Sequence, residues 1–204
     1  EVYVARGFFD QRYYKDGSKE GPGNYKDSSK FKKAAEEEGI NFIILDDYKK
    51  ISNNLYATGT VERVVEKYNG PMGFFLDKDL TIPDIIRDDQ SVGMLTDNGW
   101  IMMSGCGHSG IINTAMKLQS IKNEPVYGAI GGFHLFKASD NTISTTANWL
   151  KDNGLTKFMG GHCTGIYAAE TIADIIGITR ENLSHTAIGS VLTKELKIIR
   201  SSVE

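Results

Sequence analysis

Three short stretches, SGCGHSG (104–110), GGFHL (131–135) and GGHCTG (160–165), each follow an apolar run and set a histidine among glycines. The runs before them, WIMM, VYGAI and KFM, read as short buried strands. Helical patterns come next: Ile111, Ile112, Ala115, Met116 and Leu118 fall roughly on one helical face, a second helix is expected from Ser144 to Asn153 with Gly154 as its stop, and YAAETIADIIG gives a third. A chain that keeps alternating strands and helices folds as α/β layers. The repeat is too short and local for a solenoid.

The remaining elements fit the same class. Val2 to Val4 suits a strand, Ser28 and Ser29 offer a helix N-cap before FKKAAEEEG, and NFIILDD and LYATGTV suit two further strands. SVGML and WIMM flank TDNG, whose Asn-Gly step is a strong hairpin signal. Asp16 to Asp27 is expected to be an exposed loop, and Pro71 to Asp89 a mixed connector with charged turns. One domain over residues 1–204 is expected.

Glycine at a strand end lets the backbone turn sharply and leaves room for a ligand. Imidazole is a common neutral ligand of zinc and suits iron and manganese. Three of the four histidines, His108, His134 and His162, share this context, which makes a metal site at one edge of a sheet the leading reading. His185 lacks it and reads as structural or exposed.

The two cysteines, Cys106 and Cys163, are too few for a disulfide framework and fit thiols in a cytoplasmic protein, with one disulfide between them as the alternative. In extended backbone Cys106 and His108 point to one side, whereas His162 and Cys163 point apart, so a closed zinc site from all four is awkward. Cysteine catalysis is a further reading, because both thiols precede helices. No third, orienting residue accompanies them, and small buried packing suits each.

A net charge of −3 with scattered Lys and Arg gives no footprint for nucleic acid. No apolar run approaches the roughly 20 residues of a bilayer span, so no membrane partner is expected. The chain starts at Glu1, and its first residues already read as a strand, so a preceding segment is expected.

DDQSVGMLTDNGWIMMSGCGHSGIINTAMKLQ, then VYGAIGGFHL, then GLTKFMGGHCTG resemble the metallo-β-lactamase superfamily. The likeness is to the branch of metal-dependent hydrolases related to the dihydropterin ribofuranosyl-aminobenzene phosphate synthases. It covers the chain from about Arg87 onward, with a weaker likeness in VYVARGFFDQRYY. It implies an αββα sandwich with a metal site at one edge between the sheets, apparently missing its N-terminal strands. His108 and His162 match metal ligands of the family, and His134 lies near the place of a bridging aspartate.

The family's HxHxDH motif is absent from this sequence. The resemblance therefore implies a metal-dependent hydrolase or related transferase, with metal-activated water, that is complete only with an N-terminal segment or companion polypeptide supplying that motif. Two zinc ions are the implied cofactors, with iron or manganese as alternatives. His108, His134 and His162 would be ligands, and His134 also a catalytic donor to the developing oxyanion. Backbone N–H groups of Ser109 and Gly110, at a helix start, would hold a phosphorylated small-molecule substrate. The alternative is a noncatalytic binding or assembly module on the same scaffold.

Overall fold

A hairpin forms at TDNG as expected, but its turn residues are Asp97 and Asn98, with Gly99 already paired to Thr96; the strand that leaves it becomes the central strand of a seven-stranded sheet. In this computed structural model, residues 1–22, 26–67, 73–193 and 195–200 are described. Elements run in chain order β1 (Val2–Ala5), β2 (Arg12–Tyr14), β3 (Lys19–Glu20), α1 (Ser28–Glu37), β4 (Phe42–Leu45), β5 (Lys49–Lys50), β6 (Leu55–Ala57), β7 (Phe74–Phe75) and β8 (Ser91–Thr96). There follow β9 (Gly99–Ser104), α2 (Ile111–Ile121), β10 (Val126–Gly131), α3 (Asp140–Asp152), β11 (Lys157–Gly160), α4 (Ile166–Ile176), β12 (Leu183–His185), β13 (Val191–Leu192) and β14 (Ile198–Ile199).

The large sheet has the order β12-β11-β10-β9-β8-β6-β5. Its β9 to β12 half is parallel and the rest antiparallel. Each parallel step is bridged by one helix, α2, α3 or α4, and all three bury their apolar stripes in one cluster against the sheet. Trp100 and Met102 alternate into that cluster, while Ile101, between them, is buried on the opposite face. The Trp100 indole N–H donates to the Lys122 carbonyl at 3.0 Å, which satisfies the one polar group that its burial would otherwise strand. A register shift between Val126 and Gly128 breaks strict alternation in β10, so Val126 and Ala129 reach the same cluster.

Two small differences from the sequence reading have local causes. Asp27, not Ser28 or Ser29, is the N-cap of α1, because its carboxylate accepts from the Ser29 amide. Helix α3 starts at Asp140 rather than Ser144, since the Ser139 hydroxyl oxygen accepts from the Thr142 amide and caps it one turn earlier. Of the expected loop from Asp16 to Asp27, Lys19–Glu20 pairs with β2 as a strand, and residues 23–25 lie outside the described residues. So do 71 and 72 of the expected connector, whose 74–75 form β7 beside β2.

The N-terminal third forms smaller layers. Parallel β1 and β4 make a two-stranded sheet, with α1 held beside it by Phe31 against Phe42 and by Phe8 and Phe9. The Gln90 amide donates to the Tyr3 carbonyl at 2.9 Å and ties this sheet to the segment entering β8. From β2, the Arg12 guanidinium donates to Asp84 at 2.6 Å and also pairs with Asp88. The Asp84 side chain has no exposure and Arg12 has 17%, so this ion group sits out of water. It fixes the segment that carries Asp89. No helix among the described residues is long and apolar enough to cross a membrane.

Candidate metal centre

The parallel register sets the ends of three strands level. Gly131 at the end of β10 pairs with Ser104 of β9 on one side and with Gly160 of β11 on the other. The loops that follow therefore leave the sheet side by side, carrying His108, His134 and His162 to one end of it. Their packing is tight: a Cβ on Gly132 would lie 2.3 Å from the Gly105 carbonyl oxygen, 3.0 Å from Cys163 Sγ and 3.2 Å from His162 Cδ2. Only a residue without a side chain lets these three loops touch.

His134 and His162 have φ of 48° and 49°, the left-handed region that L side chains seldom occupy. Strained backbone of this kind gathers at functional sites. His162 also opens a 3-10 turn over His162–Thr164, so the extended geometry assumed from sequence does not hold there, and Cys163 does not point away from it.

The imidazoles divide into two groups. His108 and His134 lie with ring centroids 4.3 Å apart and planes tilted by 43°, and His134 meets Phe136 edge-on at 5.2 Å. His162 instead turns to the thiols: its Nε2 lies 3.1 Å from Cys106 Sγ. Cys106, His162 and Cys163 hold their donor atoms within 4.8 Å of one another. The sequence reading sets a site from these residues aside because it takes His162 and Cys163 as extended; the 3-10 turn brings both to Cys106.

Burial, with the neighbouring His134 adding to it, drives the pKa of His108 down to about 4 against an opposing pull from Asp89. The pKa of His134 is lowered mainly by burial, with Asp89 again opposing and His162 adding. The lone pairs that a metal needs are thus available on both at neutral pH. Burial, reinforced by Cys163, pushes the Cys106 thiol up to about 11. A thiol so held is protonated at neutral pH, which removes the basis for Cys106 as an activated nucleophile.

Asp89 and Glu66 are site residues that the sequence reading missed. Asp89 accepts from the Ser109 amide at 2.8 Å, and the Gly110 amide donates to the Gly107 carbonyl at 3.0 Å. The amides of Ser109 and Gly110, expected to face a substrate phosphate, thus have partners inside the protein. Glu66 comes from a separate segment and accepts from the Ile112 amide at 2.7 Å, capping α2 where no local side chain does so. A DDQ run and an isolated Glu carry no pattern that marks either role.

Burial raises the Glu66 carboxyl to about 6, against the pull of the Ile112 and Asn113 amides and the Thr146 hydroxyl. Between its ordinary value of 4.5 and about 6, the folded chain keeps a proton that the unfolded chain has released. Stability therefore falls as pH rises through that window and stays lower above it, by about 2 kcal/mol. Glu66→Gln should flatten this slope and be at least as stable at pH 7. Urea midpoints at the two ends of the window check it, and an unchanged slope would assign the effect to another group.

Beside His134 opens a cavity of ≈ 570 Å³, lined among others by Glu66, Lys67, Phe133, Lys137 and Thr146. That volume suits a small molecule. His185, at the end of β12, has its Nδ1 3.4 Å from the Gly160 carbonyl and is only half-buried, in keeping with a structural place.

No family model matches the chain. It is 32% identical over 143 residues to the 7,8-dihydropterin-6-methyl-4-(β-D-ribofuranosyl)-aminobenzene-5'-phosphate synthase of Methanocaldococcus jannaschii, covering 67% of this chain and 48% of that protein. An uncharacterized protein of the same organism is 31% identical over 137 residues, covering 65% of this chain and 48% of its own length. The chain thus spans about half the length of the curated relatives it matches. Among solved structures, a metal-dependent hydrolase of the beta-lactamase superfamily aligns with TM-score 0.66 and 22% identity, over 86% of this chain and 64% of that one.

Proposed function

From a metallo-β-lactamase fold and a sequence related to a dihydropterin ribofuranosyl-aminobenzene phosphate synthase, we propose that this chain carries part of the metal centre of a hydrolase or related transferase. The observation behind this reading is the level row Ser104, Gly131 and Gly160, which gathers His108, His134 and His162 at one end of the sheet. The half-buried imidazoles of His108 and His134, held neutral, and the exposed one of His162 sit on short loops and fit a divalent metal, with zinc favoured by the donor type. When bound, the metal supplies a Lewis acid and a water acidified towards neutrality.

The rest is the work of the chain's own residues. His108 and His162 hold the metal, and His134 serves as a ligand or as a donor to the oxygen that gains negative charge. Asp89 fixes the His108 loop through the Ser109 amide. The cavity beside His134 receives a small molecule, and Lys67 and Lys137 in its wall favour a phosphorylated one. Three histidines are too few for two metals, so the proposal includes an N-terminal segment or companion polypeptide bearing an HxHxDH run. The free thiols Cys106 and Cys163 fit a reducing, cytoplasmic setting.

The test is elemental analysis of natively purified protein together with intact masses of every co-purifying polypeptide. Metal is expected in the complex, with affinity at least about tenfold weaker in His108→Asn and His162→Asn. Asparagine is chosen because it tolerates the left-handed backbone at position 162. Hydrolysis of chromogenic phosphoesters or lactones should fall in parallel. Metal-free protein that captures no companion would leave a noncatalytic module on the same scaffold.

A further inference from the structure

The thiol group formed by Cys106, His162 and Cys163 has a chemistry different from that of the adjacent pair His108 and His134. We propose that these three residues form a site of their own for a thiophilic divalent cation, of the zinc and cadmium class, with two thiolates and one imidazole as donors. In a tetrahedral zinc site, with Zn–S about 2.3 Å and Zn–N about 2.0 Å, neighbouring donors stand about 3.5 to 3.8 Å apart. Here Cys106 Sγ and His162 Nε2 are 3.1 Å apart, and all three donor atoms lie within 4.8 Å. The donor separations thus lie within about 1 Å of that geometry.

The surroundings are already arranged for it. Cys163 Sγ accepts from the His134 amide at 3.3 Å, a bond that strengthens when the sulfur becomes a thiolate. Its own proton goes to the Cys106 carbonyl at 3.1 Å, a contact given up on binding. A coordinated thiol is deprotonated outright, so one divalent ion binds with release of two protons and no change of oxidation state. His162 is exposed, which leaves the fourth position open to water. The site shares only His162 with the hydrolytic reading, so an ion bound by both cysteines withdraws that imidazole from the histidine pair.

The experiment titrates metal-stripped, reduced protein with cobalt(II) and then with cadmium(II). One equivalent of cobalt should give a near-ultraviolet thiolate-to-cobalt charge-transfer band, lost in Cys106→Ser and in Cys163→Ser. The band should persist in the His108→Asn, His134→Asn double variant. Absence of the band in the native chain overturns the proposal, as does its survival in the double serine variant or its loss with the histidine pair. Should a serine variant fold poorly, protection of both native thiols from alkylation by cadmium, read by intact mass, decides the matter: unprotected thiols overturn it. None of these readouts is an activity, so failure here and failure of the hydrolytic reading are separate results.

Discussion

Gly131→Ala is expected to be about 3 to 5 kcal/mol less stable than the native chain. Two independent penalties meet at this position. Its φ of 122° lies where an L side chain is strained, and a Cβ there would sit 1.9 Å from the Ser104 carbonyl oxygen. Neither neighbour can retreat: Ser104 pairs with Ser91 on its far side, and the Gly131 carbonyl accepts from the Gly161 amide at 2.9 Å and the Thr164 hydroxyl at 3.1 Å. Urea denaturation of the variant measures the loss. A change below about 1 kcal/mol would mean that the row of strand ends is far more pliable than its hydrogen bonds imply. Because this row also sets the histidine loops side by side, any folded fraction should bind metal more weakly.

Arg12→Met should cost about 3 to 5 kcal/mol at neutral pH, because it strands two carboxylates that share one buried guanidinium. The pH dependence gives the assignment. Burial already pushes the Asp88 carboxyl above its ordinary range, and the Arg12 charge is what opposes it. Without Arg12 that carboxyl rises further, so the folded variant keeps a proton that the unfolded variant has lost. Its stability then falls as pH rises through the carboxylate range, and the deficit against the native chain is small in acid and full at neutral pH. Urea midpoints of both proteins at acid and neutral pH test this. A deficit independent of pH would mean lost packing by the arginine stem rather than lost charge.

The variant should also loosen the site. Asp88 precedes Asp89, whose carboxylate holds the Ser109 amide next to His108. Arg12, from the N-terminal layers, thus steadies a loop nearly a hundred residues away without touching it.

What was legible in the sequence is whatever a short window encodes. The hairpin at TDNG, the α/β alternation and the glycine-flanked histidines all depend on residues within a few positions of one another. The windowed signals failed where a cap outside the periodic stretch set the boundary, as Ser139 does for α3. They failed again where one residue changed the local backbone, as in the turn at His162–Thr164.

The amino-acid sequence by itself determined that three histidines would end three strands, since apolar runs, glycines and helix formers specify that locally. Only the tertiary structure decided how they divide, with His108 against His134 and His162 facing Cys106 across 56 positions. It likewise decided that Glu66 would cap α2 and that Asp89 would hold the Ser109 amide. The physical reason is register. Parallel strands set their ends level through hydrogen bonds between distant segments, and the side chains that then meet share no local periodicity.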